Sequence, residues 1–210
     1  TVSGNTVLDH RGMHANSLTF YVGCKNILVE GNRVARGNVA LTFQEIENIT
    51  IRNNLFDGSG RSMDVGMWSG QPMKNVRIVN NAFVGSNHAV DWQTGLFTNN
   101  KKIDGLVVEN NIIDGLCGTP PFPKDAVFRN NLYTRLGPDR KEKNFGPGEF
   151  FEPDLKKVFV NAEKGDYRLA PGSPAIDAGV AVDFDLDIEG AKRMQGKAVD
   201  IGPYETEPGK

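Results

Sequence analysis

Two aspartates and two histidines are the residues of this chain best suited to acid–base chemistry. Asp64 stands in Asp64-Val65-Gly66-Met67-Trp68 and Asp91 in Ala89-Val90-Asp91-Trp92-Gln93. In both stretches apolar and polar residues alternate, the pattern of a β-strand with one buried face. Placed on adjacent strands and offset by two residues, the two aspartate backbones would stand about 8 Å apart. That is compatible with the carboxyl separation of about 6.5 to 9.5 Å in inverting glycosidases. The pair also offers the oxygens a bound cation needs, and the plainer alternative is two solvated aspartates at strand ends. His14, in His10-Arg11-Gly12-Met13-His14, and His88, in Ser86-Asn87-His88, each precede a strand of the same kind. A neutral imidazole there could take the proton beside a uronate carboxyl in a β-elimination, with Arg11, Arg61 or Lys101 neutralising that carboxylate. A loop histidine that only hydrogen-bonds is the competing account.

A sugar chain would also need surfaces to lie on. Tyr21 and Trp68 offer rings that stack on sugar faces while presenting a polar edge, with core filling as the alternative for Trp68. Gln44 and Gln93 add hydrogen-bonding groups on the same set of strands. No signature of any one lyase or hydrolase family is present.

These residues must be positioned by a repeat. Ser3-Gly4-Asn5, Glu30-Gly31-Asn32, Arg52-Asn53-Asn54, Val79-Asn80-Asn81, Glu109-Asn110-Asn111 and Arg129-Asn130-Asn131 recur at intervals of 27, 22, 27, 30 and 20 residues, the period range of stacked-coil folds. Three residues before each final Asn stand Val2, Val29, Ile51, Ile78, Val108 and Phe128; two after it stand Val7, Val34, Phe56, Phe83, Ile113 and Tyr133. Each unit therefore alternates inward and outward residues and bends at the Asn, which tolerates a left-handed backbone. Stacked at about 4.8 Å, equivalent amides can hydrogen-bond into a ladder.

Between the Asn turns lies a second strand set that carries the candidate chemistry. Leu18/Phe20, Leu41/Phe43, Val65/Met67 and Val90/Trp92 are expected inward, leaving Thr19, Tyr21, Thr42, Gln44, Asp64, Gly66, Trp68, Asp91 and Gln93 on one outer face. The register that keeps Asp64 outward is preferred because it avoids burying a carboxylate. Three parallel sheets along one axis follow. The loops that vary most in length flank this polar face, where a repeat fold usually builds its site.

Residues 1–133 are thus expected to form the coils, 134–157 a long surface loop rich in charge, Pro and Gly, and 158–210 the last strands and a tail. Val158-Phe159-Val160 and Tyr167-Arg168-Leu169 read as strands, and Ser173 to Gly179 as a one-turn helix. The acids of Asp183-Phe184-Asp185-Leu186-Asp187-Ile188-Glu189-Gly190 alternate as in a calcium loop, but the Gly directly after the third acid and the distal Glu of an EF-hand are missing. Apart from this partial calcium match no cofactor is indicated. A formal charge of −2 and a hydrophobic share of 39% give no basic field for nucleic acid, and no run of eighteen apolar residues suggests a membrane span. Cys24 and Cys117 are expected as two separate buried thiols. The chain starts inside a coil, so either a preceding portion or a second chain is expected to cover that end.

The Asn turns over residues 1–133 resemble the asparagine ladder of right-handed parallel β-helix proteins of the pectate-lyase-like superfamily. The stretch from Asp166-Tyr167-Arg168-Leu169 to Asp177-Ala178-Gly179, with Asp200-Ile201-Gly202-Pro203-Tyr204-Glu205, is similar to the C-terminal segment of secreted bacterial β-helix proteins, with Pro203 where that segment has Ala. The resemblance implies an all-β, right-handed single-stranded parallel β-helix solenoid and a secreted or cell-surface location. It implies a polysaccharide or oligosaccharide partner lying along the outer face that bears Asp64 and Asp91. The activity expected is that of a polysaccharide lyase or a glycoside hydrolase. The alternative is a non-catalytic glycan-binding or surface β-helix, or a fragment lacking N-terminal coils. In tails of this type the acidic stretch is structural, with Arg193 and Asp200 expected to pair.

Overall fold

The structure, a computed structural model, describes residues 1–12, 15–57, 60–66, 71–85, 88–92, 103–118, 125–136 and 141–207; of 88–92 and 116–118 the backbone alone is considered. The strands of its coils, numbered in chain order, fall into three parallel sheets that wind into a β-solenoid. The first sheet stacks β1 (Val2–Ser3), β4 (Lys25–Glu30), β7 (Glu47–Arg52), β10 (Met73–Val79), β13 (Ile103–Glu109) and β16 (Val127–Arg129). The second stacks β2 (Thr6–Leu8), β5 (Arg33–Ala35), β8 (Leu55–Asp57), β11 (Ala82–Val84), β14 (Ile112–Asp114), β17 (Leu132–Arg135) and β18 (Phe150–Phe151). The third stacks β3 (Asn16–Phe20), β6 (Val39–Gln44), β9 (Arg61–Gly66), β12 (His88–Trp92) and β15 (Leu116–Gly118).

The Asn turn joins the first sheet to the second. Its first residue takes a left-handed backbone in every coil, at φ between 48° and 65° for Gly4, Gly31, Asn53, Asn80, Asn110 and Asn130. Its second residue builds the ladder. Asn5, Asn32, Asn54, Asn81 and Asn111 each donate both backbone N–H and side-chain Nδ2 to Oδ1 of the Asn one coil on, at 2.9–3.0 Å. From Asn32 onward each Nδ2 also donates to a backbone carbonyl of the coil before, those of Val2, Val29, Ile51, Ile78 and Val108. The buried amides are thereby satisfied, which permits an uncharged polar column beside an apolar core. Val29, Ile51, Ile78 and Val108 from the first sheet and Val34, Phe56, Phe83, Ile113 and Tyr133 from the second fill that core. The rings of Phe56 and Phe83 stack at 5.4 Å.

The ladder does not stop at Asn131. Asn131 Nδ2 donates to Glu149 Oε1 at 2.8 Å, Tyr133 Oη donates to the same oxygen at 2.6 Å, and Glu149 Oε2 accepts from Gly146 N. Asn130 N donates to Pro147 O, and β18 adds to β17 in frame, Phe151 on Tyr133. Residues 146–151 within the expected surface loop are therefore one further, abbreviated coil in which Glu149 takes the place of Asn. A substitution of Glu for Asn, at a shorter interval, hides this turn from a pattern built on Asn.

The tail folds back over the outer face of the second sheet. β19 (Phe159–Asn161) and β20 (Asp166–Leu169) pair antiparallel after a one-turn helix, α1 (Leu155–Val158), capped by Asp154. Val158, Phe159, Tyr167, Leu169, Ala175, Ile201 and Tyr204 cover Leu55, Ala82, Val84, Ile112 and Leu132. The outer Asn of each doublet grips this tail. Asn53 Nδ2 donates to Leu186 O, Asn80 Nδ2 to Asp200 O and Gly202 O, Asn110 Nδ2 to Val180 O, and Asn130 Nδ2 to Ala178 O, all at 2.7–3.0 Å.

Several tail expectations change. Ser173 to Gly179 is a run of turns, with Ser173 Oγ accepting from Ala175 N. Arg193 pairs with Glu205 rather than Asp200, and it also donates to Asn53 Oδ1 and to the carbonyls of Gly202 and Pro203. Asp200 instead accepts from the backbone N–H groups of Asp177 and Thr206. The acids of 183–189 diverge: Asp183 pairs with Arg77, Asp187 accepts three backbone N–H groups, and Glu189 pairs with Arg33. Among the described residues no three ligating side chains converge as a metal site requires. Cys24 is an exposed free thiol, since it lies in the turn before β4 rather than in a strand. No described helix is long and apolar enough to cross a membrane.

Candidate functional site

The third sheet brings together four of the candidate residues in two in-register pairs. His88 stands beside Arg61, and Asp91 stands beside Asp64, on β12 and β9. The aspartate backbones are therefore one strand spacing apart, about 4.8 Å, not offset by two residues. The difference arises at the start of β9. Pairing begins at Arg61, whose N–H donates to Asn38 O at 2.9 Å, directly after Gly60, where a Cβ would lie only 2.9 Å from that same carbonyl. The strand so begins three residues earlier than Asp64; Met63 and Val65 lie in the core, and Val65 pairs with Trp92 rather than with Val90.

The row containing the aspartates runs Thr19, Thr42, Asp64, Asp91, Cys117 across the five strands. Its described central members are buried: Thr42 is 2% exposed and Asp64 8%. Asp64 Oδ2 accepts from Arg61 NH1 at 3.2 Å; the Asp64 side chain is 11% exposed and that of Arg61 43%. Arg61 is thus the member of the pair that meets solvent. Gln44, expected on an open face, is 3% exposed and lies against Gly66, whose missing Cβ would fall 3.1 Å from Gln44 Cγ. The glycine is what lets the glutamine fold down.

The other candidates are dispersed. Tyr21 is exposed just past the end of β3, at the edge of the sheet. Arg11 belongs to the corner between β2 and β3, where its Nε donates to Arg36 O beside the Asp9–Arg36 ion pair. His14, Trp68, Gln93 and Lys101 lie outside the described residues. Sequence reasoning missed Glu45, a 5% exposed carboxyl that follows Gln44 with a left-handed backbone at φ 50° and accepts from Gln71 N at 3.1 Å. Its signal was available: a charged residue directly after a strand buried on both faces. It also missed Asp57, at the corner leading toward β9, which accepts from Tyr167 Oη at 2.7 Å. Burial pushes the Asp57 carboxyl up, partly opposed by that hydrogen bond, and pushes the Tyr167 phenol up as well.

Set against known proteins, the chain matches no family model and no curated sequence. The class the structure defines is that of a parallel β-solenoid with an asparagine ladder, a fold that hosts unrelated activities.

Proposed function

We propose that the protein acts on a uronate-containing polysaccharide by β-elimination at Arg61, Asp64, His88 and Asp91, as a secreted or cell-surface protein of the pectate-lyase-like kind. The observation that carries this reading is the double register, which pairs a cation with an imidazole-bearing residue and, three residues further along the same two strands, two carboxyl-bearing residues with each other. Arg61 meets the uronate carboxylate and makes the neighbouring C–H acidic; His88 takes that proton; the C–O bond to the leaving sugar breaks as the C=C bond forms, and the leaving oxygen takes a proton from solvent water. Asp64 orients the guanidinium. Direct register of the aspartates removes the wide carboxyl spacing that inverting hydrolysis uses; the preference for elimination rests on the cation and the imidazole-bearing residue paired at Arg61 and His88. A non-catalytic glycan-binding protein is the second reading, favoured by the burial of Thr42 and Gln44 on the same face.

The test is a panel of acidic and neutral polysaccharides followed for ultraviolet absorbance of the unsaturated product and for reducing ends. Absorbance on acidic polymers is expected. His88→Ala should lower the rate at least about a hundredfold, and Asp64→Asn and Asp91→Asn should do so without lowering the melting temperature. Reducing ends without absorbance would mean hydrolysis. Full rates in both Asn variants would remove the aspartates from the site, and silence with retained binding would leave the binding protein.

A further inference from the structure

The outer face of the first sheet carries a second column of stacked amides, which the function proposed above does not use. Six residues before each ladder Asn stand Asn26, Asn48, Asn75, Gly105 and Asp125. The first four share a left-handed backbone, at φ 55°, 58°, 52° and 73°. Asn48 Nδ2 donates to Asn26 Oδ1 at 2.8 Å and Asn75 Nδ2 to Asn48 Oδ1 at 2.7 Å. Unlike the inner ladder these amides lie at the surface, Asn26 and Asn75 exposed and Asn48 half-buried, each keeping further donor or acceptor capacity. They form one wall of a groove of about 510 Å³. Its floor is the in-register row Leu28, Thr50, Arg77, Val107, and its opposite wall is Arg52 with Asp183 of the tail. The groove spans four strands, about 14 Å along the solenoid axis.

Charge in this groove is internally balanced: Arg77 is paired with Asp183 and Glu109, and Arg52 with Glu30. An ionic ligand would have to displace these partners. What remains on offer is amide donor and acceptor capacity at the three coil steps of Asn26, Asn48 and Asn75, over a floor with apolar surface. That complements a polymer whose every unit presents groups that both donate and accept, at a repeat close to one coil. Sugar hydroxyls on a linear pyranose chain meet both conditions.

We propose that this groove is a second glycan-binding site, which holds a polysaccharide chain along the solenoid axis through its hydroxyls. This inference rests on the reading of the protein as polysaccharide-active, but the site lies on a different sheet from Asp64 and Asp91. Such a surface would keep the protein on an insoluble or polymeric substrate while another face works.

Affinity electrophoresis through gels containing either a neutral glucan or a polyuronate tests it. Two variants probe the groove. Asn48→Gly with Asn75→Gly removes both amides at positions where glycine accepts the backbone, as Gly105 already does. Thr50→Trp fills the floor. Retardation of the wild type is expected in the neutral gel, insensitive to salt, and about tenfold weaker in either folded variant. Retardation in the polyuronate gel alone, abolished by salt, would overturn the hydroxyl-based site. So would retardation unchanged in both groove variants, or no retardation in either gel. Groove-dependent retardation with no cleavage of any polymer would sustain the site while removing the proposed elimination. Retardation lost in Arg61→Ala but kept in the groove variants would place the glycan on the third sheet and defeat this inference alone.

Discussion

Asn111 shows what one residue of the inner ladder does. Fully buried, it donates to Asn131 Oδ1 twice, to Ile78 O and to Glu109 O, and accepts from Asn81 twice. Asn111→Ala strands several of these partners away from water, each loss costing about 1–3 kcal/mol. A destabilisation of about 3–5 kcal/mol is expected, read as a shift in urea midpoint. At half-buried Asn48, Asn→Gly should cost less than about 1 kcal/mol, because the left-handed backbone suits glycine. The inner column is legible in the sequence because its Asn is constant and its flanks are apolar. The work of the outer Asn is not, because Gly4 and Gly31 hold that place in the first two coils and satisfy the same backbone need. What separates Asn80 from Gly31 is a partner 120 residues away, Asp200 O, and no local pattern reports it. The column at Asn26, Asn48 and Asn75 was legible in frame, but its mark is a tolerance for left-handed backbone rather than a run of apolar residues.

At the scale of elements, the strands and sheets follow directly from the apolar alternation, whereas the register of β9 does not. Shifting a strand by two keeps every side chain on its proper face, so alternation cannot decide whether Val65 stands beside Val90 or Trp92. The short corner at Gly60 decides it, and with it the pairing of Asp64 with Asp91. The tail is the element whose attachment is most testable. Asn80→Gly with Asn110→Gly keeps both left-handed turns and removes the amides that hold Asp200, Gly202 and Val180. Amide exchange should then quicken in 178–181 and 198–206 while the first sheet keeps its protection. Glu149→Ala is expected to free the last coil in the same way, speeding exchange in 146–151 and exposing Asn131. Glu149→Gln, which still offers an acceptor to Asn131 and Tyr133, should largely preserve it.

For the whole molecule, burial of carboxyls sets the response to pH. Desolvation holds Asp57, Asp114, Asp200 and Glu205 above the ordinary carboxylate range. A carboxyl raised in the folded state favours folding when protonated. Its contribution is fully present below its ordinary value, 3.8 for Asp and 4.5 for Glu, and is lost as pH rises through the raised folded value. Asp9 and Asp183 act oppositely, lowered by hydrogen bonds from Arg36 and Arg77, but they stand at the surface where solvent screens them. The melting temperature should therefore be higher at mildly acidic pH, just above that range, than at neutrality. Circular dichroism melts at fixed ionic strength check this, and Asp57→Asn should flatten the profile.

The direction of the asparagine ladder has a consequence for the field inside the solenoid. Each inner amide from Asn5 to Asn131 donates from Nδ2 to the later coil and, from Asn32 onward, accepts at Oδ1 from the earlier one, so along the column the side-chain dipoles add head to tail as peptide units do in a helix. The positive end of that column meets the carboxyl of Glu149. The interior thus carries a polar axis running the length of the coils, and the one acidic side chain in the series stands at the end where such a field favours negative charge.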